Sequence, residues 1–173
     1  ALPISEHGPL RPADEALLTE IKAGFETVGA LYDAVKLRSA LEECRRLSQR
    51  INQYLNDNAP WTAIKADPAG AAITVFTSLQ AIEWLKTMWA PILPESSQLI
   101  HASLGMDGQL FGRQYTETVK ESQREHLALR YDHTGAVGVW EAKTLKPGQP
   151  MREPSAPFRK LDEKIVEQET EGK

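Results

Sequence analysis

The stretch "INQYLNDNAPWTAIKADP", Ile51 to Pro68, decides the fold. Ile51, Tyr54 and Leu55 keep helical spacing, the spacing stops at Asn56-Asp57-Asn58, and Ala59-Pro60-Trp61 follows at once. Asp67-Pro68 then opens a second helix, with Asp as N-cap and Pro at the first helical position. Two rods therefore meet at a corner, and a tryptophan stands in it.

Working back from the corner, Leu37, Leu41, Cys44, Leu47, Ile51, Tyr54 and Leu55 mark one buried face of a long helix. Glu42, Arg45, Arg46, Gln49, Arg50 and Gln53 fall largely on its other side. Before it, Leu17, Leu18, Ile21, Phe25, Val28 and Leu31 predict a helix over Ala13 to Leu31, started by Pro12, Asp14 and Glu15. Forward of the corner, Ile73, Val75, Phe76, Leu79, Ile82, Trp84, Leu85, Met88 and Trp89 cover more than one face on the way to Pro91, which makes this helix the central rod. Pro91 and Pro94 break it. A shorter helix with Leu99 and Ile100 follows, capped by Leu104-Gly105. The pattern is mainly α, a helical bundle of four to five helices.

Past Gly105 the signals weaken. Met106 to Gly112 is loop-like, Tyr115 to Glu125 is polar with helix as its assignment, and Leu127, Leu129 and Tyr131 alternate. With Asp132-His133-Thr134-Gly135 as connection and Val137 and Val139 beyond, they have the makings of a small β-hairpin. Lys146 to Pro157 holds four prolines and reads as an irregular tether, and Leu161 to Gln168 as a last short helix. The expected organisation is a leader over 1–12, the bundle over 13–112, and an extension with a return strap over 113–173. The leader, with Pro3, Pro9 and Pro12 and no initial Met, reads as the cut edge of a longer protein.

The 173 residues, 41% hydrophobic and 25% charged, are enough for one soluble domain with its own core. No apolar run reaches the ~20 residues of a membrane span, and no signal peptide opens the chain. One cysteine, Cys44, allows neither an internal disulfide nor a cysteine-based zinc site, so the cytoplasm is the expected location and Cys44 is core filler. Twenty Lys and Arg against 24 Asp and Glu argue against indiscriminate coating of nucleic acid, while a local basic face stays open.

Known chemical motifs are missing. His7, His101, His126 and His133 lack metal-ligand spacing, and there is no phosphate-cradling glycine loop and no nucleophile elbow. Glu42-Glu43 reads as solvated charge. The residues name no catalyst and no cofactor of their own. What remains is Trp61. Its indole either packs back onto the following helix or stands as a platform that stacks an unpaired base, with Arg45, Arg46, Arg50 and Lys65 steering phosphates. The arginines have a plainer reading too, Glu42 pairing with Arg46 one turn on.

Three stretches together resemble the methionyl-tRNA synthetases. "RINQYLNDNAPWTAIKADP" (Arg50–Pro68) is similar to their N-x-Y-x-x-x-x-A-P-W helix end and K-x-D-P helix start. "MWAPILPESSQLIHASLGMDGQLFG" (Met88–Gly112) is similar to the following helices, and "KTLKPGQPMREPSAPFRKLDEKIV" (Lys143–Val166) to a return strap ending in F-x-K-L-D. The resemblance implies the helical anticodon-binding domain of a class I synthetase. It implies that Trp61 stacks on an unpaired anticodon base of methionine tRNA, that Pro60 shapes that contact, that Asn52 is a polar contact or helix-end group, and that Tyr54 is core. Arg46, Arg50 and Lys65 become candidates for the tRNA backbone.

The family's H-x-G-H and K-M-S-K-S motifs do not occur in these residues. ATP, with Mg2+, would accordingly belong to an upstream catalytic domain of a parent methionine–tRNA ligase, and this part alone is expected to be inactive. The strap is expected to pack toward that domain. Two rivals remain: the same bundle from an isoleucine, valine, leucine or cysteine enzyme, and a helical protein-interaction module.

Overall fold

The computed structural model describes residues 4, 6–158 and 165 of the chain. Four long helices, a one-turn helix and a two-stranded hairpin make up the regular structure: α1 (Pro12–Asp33), α2 (Leu37–Asn58), α3 (Pro60–Ala63), α4 (Pro68–Trp89), α5 (Pro94–Ser103), β1 (Arg113–Lys120) and β2 (Glu125–Asp132). The mainly α expectation holds, with one short helix, α3, lying inside the corner itself.

Helices α1, α2 and α4 pack on one another, and α4 also touches α3 and α5. Their shared core joins Leu17, Ile21 and Val28 of α1 to Cys44, Leu47 and Ile51 of α2 and to Trp84, Leu85 and Met88 of α4. The apolar stripes read from sequence are the stripes that meet there. Cys44 is fully buried and its thiol is pushed up to about 11, chiefly by burial, so it serves as filler. Gly24 lets α1 approach α2 and α4 closely, since a Cβ there would lie 2.6 Å from Leu47 Cδ1 and 3.0 Å from Met88 Sδ.

Helix α4 is the central rod, and it buries polar groups that periodicity does not reveal. Lys86 Nζ bonds Glu83 Oε1 at 3.0 Å and meets His101 Nδ1 at 3.2 Å, all three residues at most 3% exposed. Burial acts first on each: it raises the Glu83 pKa and lowers those of Lys86 and His101. His101 Nε2 faces the Asp107 carbonyl at 3.1 Å, which fixes a neutral imidazole donating from Nε2 and accepting from Lys86 at Nδ1.

A second core gathers Ile4, Phe76, Leu104 and Leu145. Ile4 is 1% exposed, and its N–H donates to the Gln149 carbonyl. Ile4 is thus core and not part of an idle leader, a role hidden from sequence because an isolated apolar residue in a proline-rich stretch gives no periodic signal. After Glu141 the chain runs back along α4: the Gln80 amide donates to the Lys143 carbonyl and accepts from the Leu145 N–H, and Trp84 Nε1 donates to the same Lys143 carbonyl. Gln149 then donates to the Leu104 carbonyl, and the Arg152 N–H to that of Ser103. The irregular tether is a strap laid on its own bundle.

The hairpin differs from its expected form. Strand β1 occupies Arg113–Lys120, overlapping the stretch Tyr115 to Glu125 read as polar helix, and pairs antiparallel with β2 in a register that sets Arg113 opposite Asp132 and Lys120 opposite Glu125. The turn is Glu121 to Arg124, and Asp132 to Gly135 ends β2 and leads out of the hairpin instead of closing it. Charged and threonine-rich β1 shows no apolar alternation, so its pairing with β2 decides its conformation. The helix expected over Leu161 to Gln168 lies, apart from Ile165, outside the described residues.

Candidate nucleic-acid interface

Helix α2 stops at Ala59, which takes a left-handed conformation at φ 34° and ψ 61° and whose N–H still donates to the Leu55 carbonyl. The Ala59 carbonyl at once starts α3, accepting from Thr62 N, Ala63 N and the Thr62 hydroxyl at 2.9 to 3.0 Å. Pro60 has no N–H to leave unpaired, carries the fixed φ of a first helical residue, and is buried. Asn58 holds the approach, its side-chain amide donating to the Tyr54 carbonyl. The backbone under Trp61 is therefore bonded on both sides.

The ring itself faces solvent. Trp61 is 60% exposed, so it does not pack away onto α4, and Ile64, one turn further, is 55% exposed. A buried proline anchoring an exposed indole is a rigid hydrophobic platform at the end of α2 and the start of α4. Asp67 caps α4 by accepting from the Gly70 N–H at 2.9 Å, as its sequence position predicts.

The other candidates are placed less uniformly. Asn52 is exposed on α2 and Lys65 is exposed just after α3. Arg46 and Arg50 lie roughly 18 Å and 12 Å before the end of α2 and are already engaged. Arg46 bonds Glu43 and Glu20, and Arg50 bonds Glu20 at 3.0 Å and Gln53 at 2.9 Å. The pairing of Arg46 with Glu42 expected from spacing does not form: Glu43, at i−3, and Glu20, from the neighbouring helix, take its place. Hydrogen bonds from Arg46 hold both carboxylates below their usual range. The structure thus gathers Pro60, Trp61 and Lys65 at one corner and leaves Arg46 and Arg50 further back, in a carboxylate network.

Tyr54 is core, and it does more than fill space. Arg11, Asp14, Tyr54 and Thr74 form a bonded cluster in which Arg11 donates to Asp14, to the Tyr54 oxygen at 3.1 Å and to Thr74 at 2.9 Å. The cluster pins the starts of α1 and α4 to the last turns of α2, which lead into the turn that bears the tryptophan. Sequence reading misses Arg11 and Thr74 because Arg11 lies 43 residues from Tyr54 and 63 from Thr74. Among the described residues no three His, Cys, Asp or Glu side chains gather as a metal site, and no helix is long and apolar enough to cross a membrane.

These features define a class, an antiparallel helical bundle with a hairpin and a return strap that presents one indole at a rigid corner. The chain belongs to the family of the anticodon binding domain of methionyl tRNA ligase, whose model matches residues 4–131. A methionine–tRNA ligase of Chloroflexus aggregans is 40% identical over 167 residues, and one of Thermomicrobium roseum is 39% identical over 168. Each match takes in 96% of this chain, which spans 28% and 29% of the two relatives. Free-state methionyl-tRNA synthetase of Mycobacterium tuberculosis superposes with a TM-score of 0.69 at 24% identity, over 92% of this chain and 28% of that one. The same enzyme bound by methionyl-adenylate gives 0.66 at 25% identity, over 91% and 27%.

Proposed function

We propose that this chain holds the anticodon of methionine tRNA for a longer methionine–tRNA ligase, with Trp61 as the surface on which an unpaired anticodon base stacks. The exposure of Trp61 on a backbone bonded from both sides is the observation that carries the reading. Every nucleobase has a flat π-face, and stacking on an aromatic side chain contributes about 1 to 3 kcal/mol per base. Pro60 sets the direction of the ring, Asn52 offers a polar contact, and Lys65 offers a phosphate contact. Arg50 reaches phosphates only by giving up Glu20, and Arg46 only by giving up Glu20 and Glu43. Ligation, with ATP and Mg2+, is assigned to the part of the polypeptide outside these residues, and the cytoplasm is the setting. Family membership disfavours the interaction-module rival, and names of relatives that specify methionine disfavour the other class I enzymes.

The test is filter binding of methionine tRNA and of the same tRNA with a changed anticodon, to the unaltered protein and to Trp61→Ala. The expected result is a roughly 5- to 150-fold loss for Trp61→Ala with methionine tRNA, at an unchanged melting temperature. Indifference to the anticodon, or a melted variant whose folded molecules bind normally, would end this reading.

A further inference from the structure

The hairpin presents two faces of different chemistry. On one, the cross-strand pairs Gln114–Tyr131, Thr116–Leu129 and Thr118–Leu127 carry no charge, Leu127, Leu129 and Tyr131 are 70%, 68% and 51% exposed, and the mutually paired Lys120 and Glu125 stand only at its turn end. On the other, charge is frequent, with Arg130 bonded to Glu117 at 2.9 Å. The uncharged face is continuous with the bundle: Tyr131 lines one apolar hollow of 380 Å³ with Phe111, Val139 and Trp140, beside Ala90 and Pro91 just past α4. That end of α4 lies roughly 33 Å from the Trp61 corner, so this surface is separate from the proposed anticodon contact.

A two-stranded ribbon alone is at best marginally stable in water, and exposed apolar patches of this kind mark contact surfaces. We infer that the uncharged face of the hairpin docks onto the portion of the same polypeptide that lies outside these residues. RNA does not fit it, because a phosphate backbone is held by Lys and Arg, and this face has neither along its three uncharged pairs, while Lys120 at its turn end is neutralised by Glu125. The relatives supply the occupant: the chain spans 28% of their length, leaving about seven tenths of the polypeptide covalently attached. Attachment places that portion at an effective concentration in the millimolar range, far above that of a second free copy. The inference rests on family membership and is independent of what Trp61 does.

The experiment uses the complete polypeptide with Leu129→Cys or, as control on the charged face, Glu117→Cys. Labelling by a neutral maleimide is read at each site by peptide mass spectrometry and divided by the rate in denaturant. Leu129→Cys is expected to label at least tenfold more slowly than Glu117→Cys, at all protein dilutions and without tRNA. Adding Leu127→Ser is expected to bring the two rates together. Equal rates at the outset overturn the inference. So does protection lost on dilution, which indicates a second copy, and so does protection that needs tRNA.

Discussion

The Tyr54 hydroxyl donates to Asp14 Oδ1 at 2.5 Å, across 40 residues of sequence, and so fastens the last turns of α2 to the first turn of α1. Asp14 is fully buried and takes two further bonds from the Arg11 guanidinium and one from the Arg11 N–H. The position of Trp61 depends on this join, since only Leu55 to Pro60 separate it from Tyr54.

Removing the join should loosen the corner. Tyr54→Phe leaves one buried acceptor short of a donor and is expected to cost about 1 to 3 kcal/mol of stability by urea denaturation. Asp14→Ala removes the acceptor of both Tyr54 and Arg11, but the Arg11 side chain is 38% exposed and turns to water, so about 1 to 3 kcal/mol is expected here too. Equal stability of Tyr54→Phe and the unaltered protein would show that the join carries no weight. Burial works against the Asp14 charge, but bonds from Arg11 and Tyr54 outweigh it and hold its pKa below the ordinary value. With the folded pKa depressed, this contribution is present above about pH 4 and is lost as the pH falls through the folded value.

His101 gives a second pH response, at higher pH. Burial, with the Lys86 ammonium adding to it, lowers the imidazole pKa below 6.5, while the Asp107 carbonyl opposes the shift. A neutral imidazole favoured by the fold contributes stability that is complete above 6.5 and declines as pH falls below it, where the unfolded chain takes up the proton first. Denaturation midpoints are therefore expected to fall between pH 7.5 and 5.5. In His101→Gln, which keeps an amide able to donate to Asp107, that fall should be smaller. An identical pH slope in the two proteins would remove His101 as its source.

Much of this architecture is legible from the chain alone. The stripes of α1, α2 and α4 repeat over five or six turns, and Asp67-Pro68 and Leu104-Gly105 are local signals that need no tertiary help. What escapes is what depends on distant partners. Strand β1 exists because β2 pairs with it, Ile4 is core because the strap passes over it, and Glu20 claims two arginines from a neighbouring helix. The candidate corner is half legible: spacing locates Trp61, but its exposure follows from the left-handed turn at Ala59 and the burial of Pro60.

Ala59 bears that turn at a cost. A residue with a Cβ at positive φ is disfavoured by about 1 to 2 kcal/mol, and glycine is not. Ala59→Gly is thus expected to leave thermal stability unchanged or raise it slightly, despite the greater freedom of glycine in the unfolded chain. Ala59→Val adds β-branching to the same φ and is expected to lower the melting temperature by several degrees. A Val variant as stable as the Gly variant would mean that the turn relaxes freely and does not aim the indole.

Glu20 separates the two roles open to the arginines. It accepts from both Arg46 and Arg50, and an exposed pair of this kind contributes at most about 1 kcal/mol to stability, so Glu20→Gln should still fold. Losing the carboxylate frees the Arg50 guanidinium and leaves Arg46 held by Glu43 alone, both on one face of α2. If those charges reach tRNA phosphates, affinity at low salt should rise several-fold, and the slope of log affinity against log salt should steepen by up to about two phosphate contacts. Arg46→Ala in the Glu20→Gln background should then reverse about half of that change in slope. If Glu20→Gln leaves both affinity and slope unaltered, Arg46 and Arg50 serve only to hold α1 against α2, and Lys65 is left as the basic contact beside Trp61.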